Sequence, residues 1–208
     1  IGVTATGGIT DANDEAPTSA EAVGLHAEAD VNNTGNIHIV VAGGIGDSNN
    51  FTTYAMGNAT GVDAGNNANN AGDIQATVTG GNVTTRGDSD QAIVYSTTMG
   101  VSAGDDGTNT GTIQVAAIGG TATTSGDSAR PIAVGLATGL TAGNNVANTG
   151  TISATATGGT ASSTGNDATA YATAQTEAIY AYRSIDNSGA VTASATGGSA
   201  VALLDDAH

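Results

Sequence analysis

The chain has 208 residues and is strongly acidic, with 19 Asp and Glu against three cations, Arg86, Arg130 and Arg183, and a formal charge of −16. That balance makes nucleic acid and anionic membrane poor partners, and the absence of Cys removes any disulfide framework or thiolate metal site. Gly is 32 of 208 and aromatics are 3%, so the core must be narrow and filled by Ala, Val, Ile, Thr and Gly.

In chain order, residues 1–8 (Ile1-Gly2-Val3-Thr4-Ala5-Thr6-Gly7-Gly8) recur at 37–44, 74–81, 113–120, 152–159 and 191–198. Every second residue is apolar, as in Ile37, Ile39, Val41 and Ile152, Ala154, Ala156. A period of two predicts a half-buried strand. The intervening positions are mostly Thr, Ser or Gln, with Val40, Ala42, Ala116 and Ile118 as exceptions. Gly43, Gly44, Gly80, Gly81, Gly119, Gly120, Gly158 and Gly159 then read as corner residues taking φ > 0, which glycine reaches without steric cost.

A short polar piece follows each pair and leads to a second turn, Gly46-Asp47-Ser48, Gly87-Asp88-Ser89, Gly126-Asp127-Ser128 and Gly165-Asn166-Asp167. Length varies between repeats here, which marks a solvent-facing corner. The next strand is long and places Ala55, Gly57, Ala59, then Val94, Ser96, Thr98, then Ala133, Gly135, Ala137 inside. Its neighbours face out: Tyr54, Met56, Ile93, Tyr95, Ile132, Val134 and Leu136. A contiguous apolar stripe of this kind marks a lateral interface. Two stretches, Ser19 to Asp30 and Ala168 to Arg183, have helical propensity but align with strand positions of the other repeats, so they are expected to be strands.

A third turn, Gly65-Asn66-Asn67, Gly104-Asp105-Asp106 or Gly143-Asn144-Asn145, returns the chain to an Asn-x-Gly motif. Its asparagines are Asn33, Asn70, Asn109, Asn148 and Asn187, at intervals of 37, 39, 39 and 39 residues. Stacked repeats bury a core that one repeat cannot bury alone. The expected fold is therefore all-β, a β-solenoid (parallel β-helix, of expected right hand) with repeats at about 1–32, 33–69, 70–108, 109–147 and 148–186 and a partial repeat at 187–208. At ~3.3 Å per residue a 39-residue coil has a perimeter of ~130 Å. An Ala-rich interior closes such a coil only if it is flattened, and two coils of about 20 residues would fit a narrow core better; against two coils, the halves of a repeat are unlike, which favours one flattened coil. In-register stacking would align the five asparagines as an amide ladder.

The motif Asn-(Thr/Ser)-Gly-x-Ile, followed by Ser153-Ala154-Thr155-Ala156-Thr157-Gly158-Gly159 and preceded by Thr138-Gly139-Leu140-Thr141-Ala142-Gly143-Asn144-Asn145, resembles the β-helical repeats of secreted bacterial autotransporter passengers and filamentous-haemagglutinin-like adhesins. The resemblance covers nearly the whole chain. It implies an extracellular, elongated protein, and it carries turns and stacking rather than chemistry.

Among chemical candidates, Asp47, Asp88, Asp127 and Asp167 are expected at one turn and Asp105 and Asp106 at another. Stacked carboxylates attract hard cations, so Asp88, Asp105, Asp106 and Asp127 form a candidate Ca²⁺ site. A hydrated acidic surface explains them as well, and no cofactor is required. His26, His38 and His208 fall in different columns without ligand spacing. Paired carboxylates in a cleft are not in view, and the expectation is a protein that is not an enzyme. Thr4, Thr77 and Thr155, with Thr6, Thr79, Thr157 and Thr196, form outward columns that suit ice binding, although Val40, Ala42, Ala116 and Ile118 interrupt them.

The chain begins at Ile1 and stops just after Leu203-Leu204, in mid-repeat at both ends and with no amphipathic cap in view. Open coils expose strand edges, which leads to the expectation of an extracellular structural protein that assembles head to tail with itself into a filament or fibrous layer, after removal of a leader. The competing reading is an adhesin stalk or passenger fragment that binds a cell surface. Ice binding is the third.

Overall fold

A computed structural model describes residues 1–12 and 17–203, which leaves Leu204 and His208 outside the described residues. Among the described residues there are 22 strands and no helix. The first coil holds β1 (Gly2–Thr6), β2 (Ile9–Ala12), β3 (Thr18–Ala27) and β4 (Val31–Asn33). The second holds β5 (Ile37–Ala42), β6 (Ile45–Ser48), β7 (Thr53–Ala64) and β8 (Ala68–Asn70). The third holds β9 (Asp73–Thr79), β10 (Asn82–Thr85), β11 (Gln91–Ala103) and β12 (Gly107–Asn109). The fourth holds β13 (Thr112–Ile118), β14 (Thr121–Thr124), β15 (Arg130–Ala142) and β16 (Asn145–Asn148). The fifth holds β17 (Thr151–Thr157), β18 (Thr160–Ser163), β19 (Tyr171–Ala181) and β20 (Ser184–Asn187), and β21 (Ala190–Thr196) and β22 (Ser199–Ala202) follow.

Each strand pairs in parallel with the strand four elements later, one repeat along the chain. Four sheets result. Sheet A runs β1-β5-β9-β13-β17-β21 and sheet B runs β2-β6-β10-β14-β18-β22. Sheet C holds the long strands β3, β7, β11, β15 and β19, and sheet D the short strands β4, β8, β12, β16 and β20. Each 39-residue repeat is thus one coil. The unlike halves of a repeat decide this, since a strand finds its matching hydrophobic phase only in its own counterpart. The stretches of helical propensity are strands, β3 and β19, because the coil on which each stacks supplies both the partner strand and the core.

Sheet C faces both compartments of the core. The larger contains Ile37, Ile74, Ile113 and Ile152 from sheet A with Val62, Val101 and Leu140 from sheet C. The smaller, against sheet B, contains Val83, Ala122 and Ala161 with Ala55, Val94 and Ala133. At ~25 cal/mol per Å² of buried apolar area, such small side chains stabilise a single coil weakly, and the stack is what makes the sum sufficient.

Two sequence expectations are corrected. The corner glycines do not take positive φ; among the described residues no glycine does, and the residues that do are Ser89, Ser128 and Asp167 at 64°, 57° and 53°. Glycine is needed because successive coils approach too closely for a side chain. A Cβ on Gly81, Gly120 or Gly159 would fall on the carbonyl oxygen of Gly44, Gly81 or Gly120 one coil earlier. One on Gly43, Gly80, Gly119 or Gly158 would meet the backbone nitrogen of Gly81, Gly120, Gly159 or Gly198 in the following coil. Gly46-Asp47-Ser48 is likewise not a turn. It lies in β6, with Asp47 paired to Thr84 and Ser48 to Thr85. The register step is 37 residues at Ser48↔Thr85 and 39 at Thr53↔Ala92, so the two extra residues of the later coils sit in the corner between sheets B and C.

Candidate functional site

The asparagines of the Asn-x-Gly motif close the coil between sheets D and A, and they stack. Asn33 donates from Nδ2 to Asn70 Oδ1 at 2.7 Å, Asn70 to Asn109 at 2.8 Å, Asn109 to Asn148 at 2.8 Å and Asn148 to Asn187 at 2.6 Å. Asn70, Asn109 and Asn148 are fully buried. Their Nδ2 groups also donate to the carbonyls of Gly72, Gly111 and Gly150 two residues on, at 3.0, 3.2 and 3.5 Å. Each amide therefore fixes its own turn and the register of the next.

A second buried polar column was not anticipated from the sequence. Ser48, Thr85, Thr124 and Ser163 align at the end of sheet B, and Thr124 Oγ1 donates to Ser163 Oγ at 2.8 Å. The signal was a hydroxyl residue as the fourth residue after the Gly-Gly pair in four of its six copies. Alignment of Ser48 with Ser89 obscured it.

Asp88 and Asp127 lie at one corner, and Asp30, Asp105 and Asp106 at another. Asp88 Oδ1 accepts the Asp127 N–H at 3.0 Å, and Asp127 Oδ1 accepts the Asn166 N–H at 2.9 Å. At the other corner Asp30 accepts from Asn67 N and Nδ2, Asn67 Oδ1 accepts the Asp106 N–H, and Asp106 accepts from Asn145 N and Nδ2. Asp105 Oδ1 accepts from Asn144 Nδ2 at 3.1 Å. The alternation of Asp30, Asn67, Asp106 and Asn145 spaces the charges two coils apart, ~9.6 Å. That distance approaches the Debye length of ~10 Å at about 0.1 M salt. Asp88 and Asp127 lie at one end of the long strands, and Asp105 and Asp106 at the other, separated by the 13 residues of β11, roughly 40 Å. The four do not converge on one cation site. Among the described residues no three His, Cys, Asp or Glu do. Asp47 stands apart on sheet B and pairs with Arg86, whose Nη2 lies 3.0 Å from its Oδ2.

Asp90 has no partner for one oxygen. Its Oδ2 is shut from solvent without a hydrogen bond and lies against Gly87. Desolvation, and secondarily the charge of Asp88, push its carboxyl above the usual range. His26 Nδ1 is 2.9 Å from Asp63 Oδ2, and His38 lies on sheet A beside Gln75.

The outer face of sheet C carries the apolar stripe. Tyr54, Ile93, Ile132 and Tyr171 form one column, and Met56, Tyr95, Val134 and Thr173 the next. Met56 is 36% and Tyr171 41% exposed, whereas Ile93, in register between Tyr54 and Ile132, is covered to 5%. Leu136 continues the stripe between Thr97 and Gln175. Arg130 lies over the Tyr171 ring, 5.4 Å from its centroid. On sheet A the Thr columns are broken at every second coil, Thr77 and Thr79 lying between Val40 and Ala42 on one side and Ala116 and Ile118 on the other.

Parallel coils in fixed register, with buried side-chain ladders running through them, define the class: the chain is a β-solenoid repeat protein. Comparison with protein-family models, with curated proteins and with solved structures found no match.

Proposed function

We propose that this chain is an extracellular structural protein whose coils stack end to end into a filament or fibrous surface layer. The observation that carries the reading is the asparagine ladder, in which every coil donates to the next in one direction. A coil from a second copy can stand where the next coil of the same chain would, a heterologous contact that extends without closing. The glycine pairs and the Thr124–Ser163 hydroxyl bond support the same reading, since both serve contacts between coils. The resemblance to secreted bacterial β-helical repeats supports a place outside the cell.

Electron microscopy of the purified chain should reveal unbranched filaments, with a ~4.8 Å reflection along their axis. A monodisperse monomer in sedimentation at high concentration would sink the proposal. Antibody labelling of intact producing cells tests the location, and labelling only after lysis would overturn it.

A further inference from the structure

We propose that the corner between sheets B and C in the third coil is a receptor-binding site, at which Arg86-Gly87-Asp88 is presented to a cell-surface adhesion receptor of the integrin type. Such a receptor offers a bound divalent cation to the Asp carboxylate and an acidic pocket to the guanidinium. The tripeptide links β10 to β11 at the corner where the register step widens from 37 to 39 residues. Arg86, Asp88 and Ser89 are exposed there, and Gly87 between them is buried. Only glycine fits that place, since a Cβ on it would meet Asp90 Oδ2 and the Asn50 Cα. With Gly87 held inward, the side chains before and after it both reach solvent.

Neighbouring coils hold the backbone of this segment in place. The Arg86 N–H donates to the Ser48 carbonyl at 3.2 Å and the Ser89 N–H to the Asp127 carbonyl at 2.7 Å, and the φ of 64° at Ser89 turns the chain directly after Asp88. A segment ordered before binding loses less entropy on binding. Both charged groups are within a receptor's reach. Asp88 gives Oδ1 to the Asp127 N–H, and its Oδ2 has no hydrogen bond among the described residues, which suits a hard cation that takes a carboxylate oxygen. Arg86 Nη2 lies 3.0 Å from Asp47 Oδ2 and its Nη1 3.3 Å from Asn49 Oδ1, with the side chain 48% exposed. An exposed ion pair shifts an equilibrium by a factor of about five at most, so an acidic pocket can take the guanidinium over. The fold does not ask for this arginine. The equivalent corners read Ser125-Gly126-Asp127 and Thr164-Gly165-Asn166, with Gly126 stacked on Gly87 and Gly165 on Gly126. The glycine recurs because the coils press together, whereas of these three corners only the first has a cation before it.

The site lies in one coil and needs no second copy, so it is independent of end-to-end growth. The measurement is binding of the full chain to the immobilised ectodomain of an Arg-Gly-Asp-binding integrin in millimolar Mg²⁺. Saturable binding is expected, displaced by free Arg-Gly-Asp-Ser peptide and abolished by chelating the cation. Asp88→Asn keeps an oxygen for the Asp127 N–H but loses the charge, and it should weaken binding at least ~10-fold. Arg86→Gln should do the same, while Arg130→Gln in β15 leaves binding unchanged. Thermal melting checks the fold, and Arg86→Lys, which keeps a charge beside Asp47 but lacks the planar fork, replaces either variant that melts early. No binding by the wild type, binding that survives chelation, or undiminished binding by the Asp88 and Arg86 variants overturns the proposal. Filaments without receptor binding would sink this proposal alone, and receptor binding by chains that form no filaments would sink the end-to-end reading alone.

Discussion

Asn109 and Asp90 show opposite ways in which a polar residue meets this interior. Asn109 spends its amide on Asn148, Asn70 and the Gly111 carbonyl, so Asn109→Ala strips two ladder bonds and leaves the Oδ1 of Asn148 without its donor. The expected loss is about 2–4 kcal/mol, read as a lower urea midpoint. Asn69→Ala, one residue from the ladder and exposed, should change stability by no more than ~0.5 kcal/mol. Equal losses would refute the ladder's special weight. Asp90 is the reverse case, because burial raises its pKa in the folded chain. Its ionised form therefore costs stability, a penalty absent below the ordinary carboxylate range and complete above the raised folded value. Asp90→Asn should melt higher than wild type at pH 7, and the gap should close on acidification; a pH-independent gap would contradict the assignment. The ladder was legible because its spacing is regular and its residue invariant. Asp90 was not, because a single departure from a column, aligned with Ala129 in the next coil, is silent until the register is known.

The strands themselves were legible from period two alone, including the two that propensity would have made helical. What the sequence concealed was the purpose of the corner residues. A glycine serves equally for a positive φ and for a close approach, and the two uses look identical in one dimension. Here the left-handed positions went to Ser89, Ser128 and Asp167, and the glycines went where the next coil presses. Gly81→Ala tests this: its Cβ falls on the Gly44 carbonyl, and overpacking should cost on the order of 3 kcal/mol or prevent folding. A substitution made for conformational freedom alone would be milder, about 1 kcal/mol. The displaced Asp47 has a similar origin, since Gly-Asp-Ser occurs both in β6 and at the later corners, and the change of register step decides which copy is a turn.

At the scale of the molecule, the repeat interval announced the solenoid, and one coil per repeat followed from the dissimilarity of its halves. The apolar stripe was legible because the strand phase was, whereas the burial of Ile93, in register between Tyr54 and Ile132, depends on how the coils stack. One feature of the ladder reaches further than stability. All four asparagine bonds point the same way, from Asn33 towards Asn187, so their amide dipoles add along the axis as peptide dipoles do in a helix. An otherwise uncharged column thus gives the rod electrical polarity, positive towards Asn187. Two such rods attract when placed head to tail, where unlike poles meet, and repel when placed head to head.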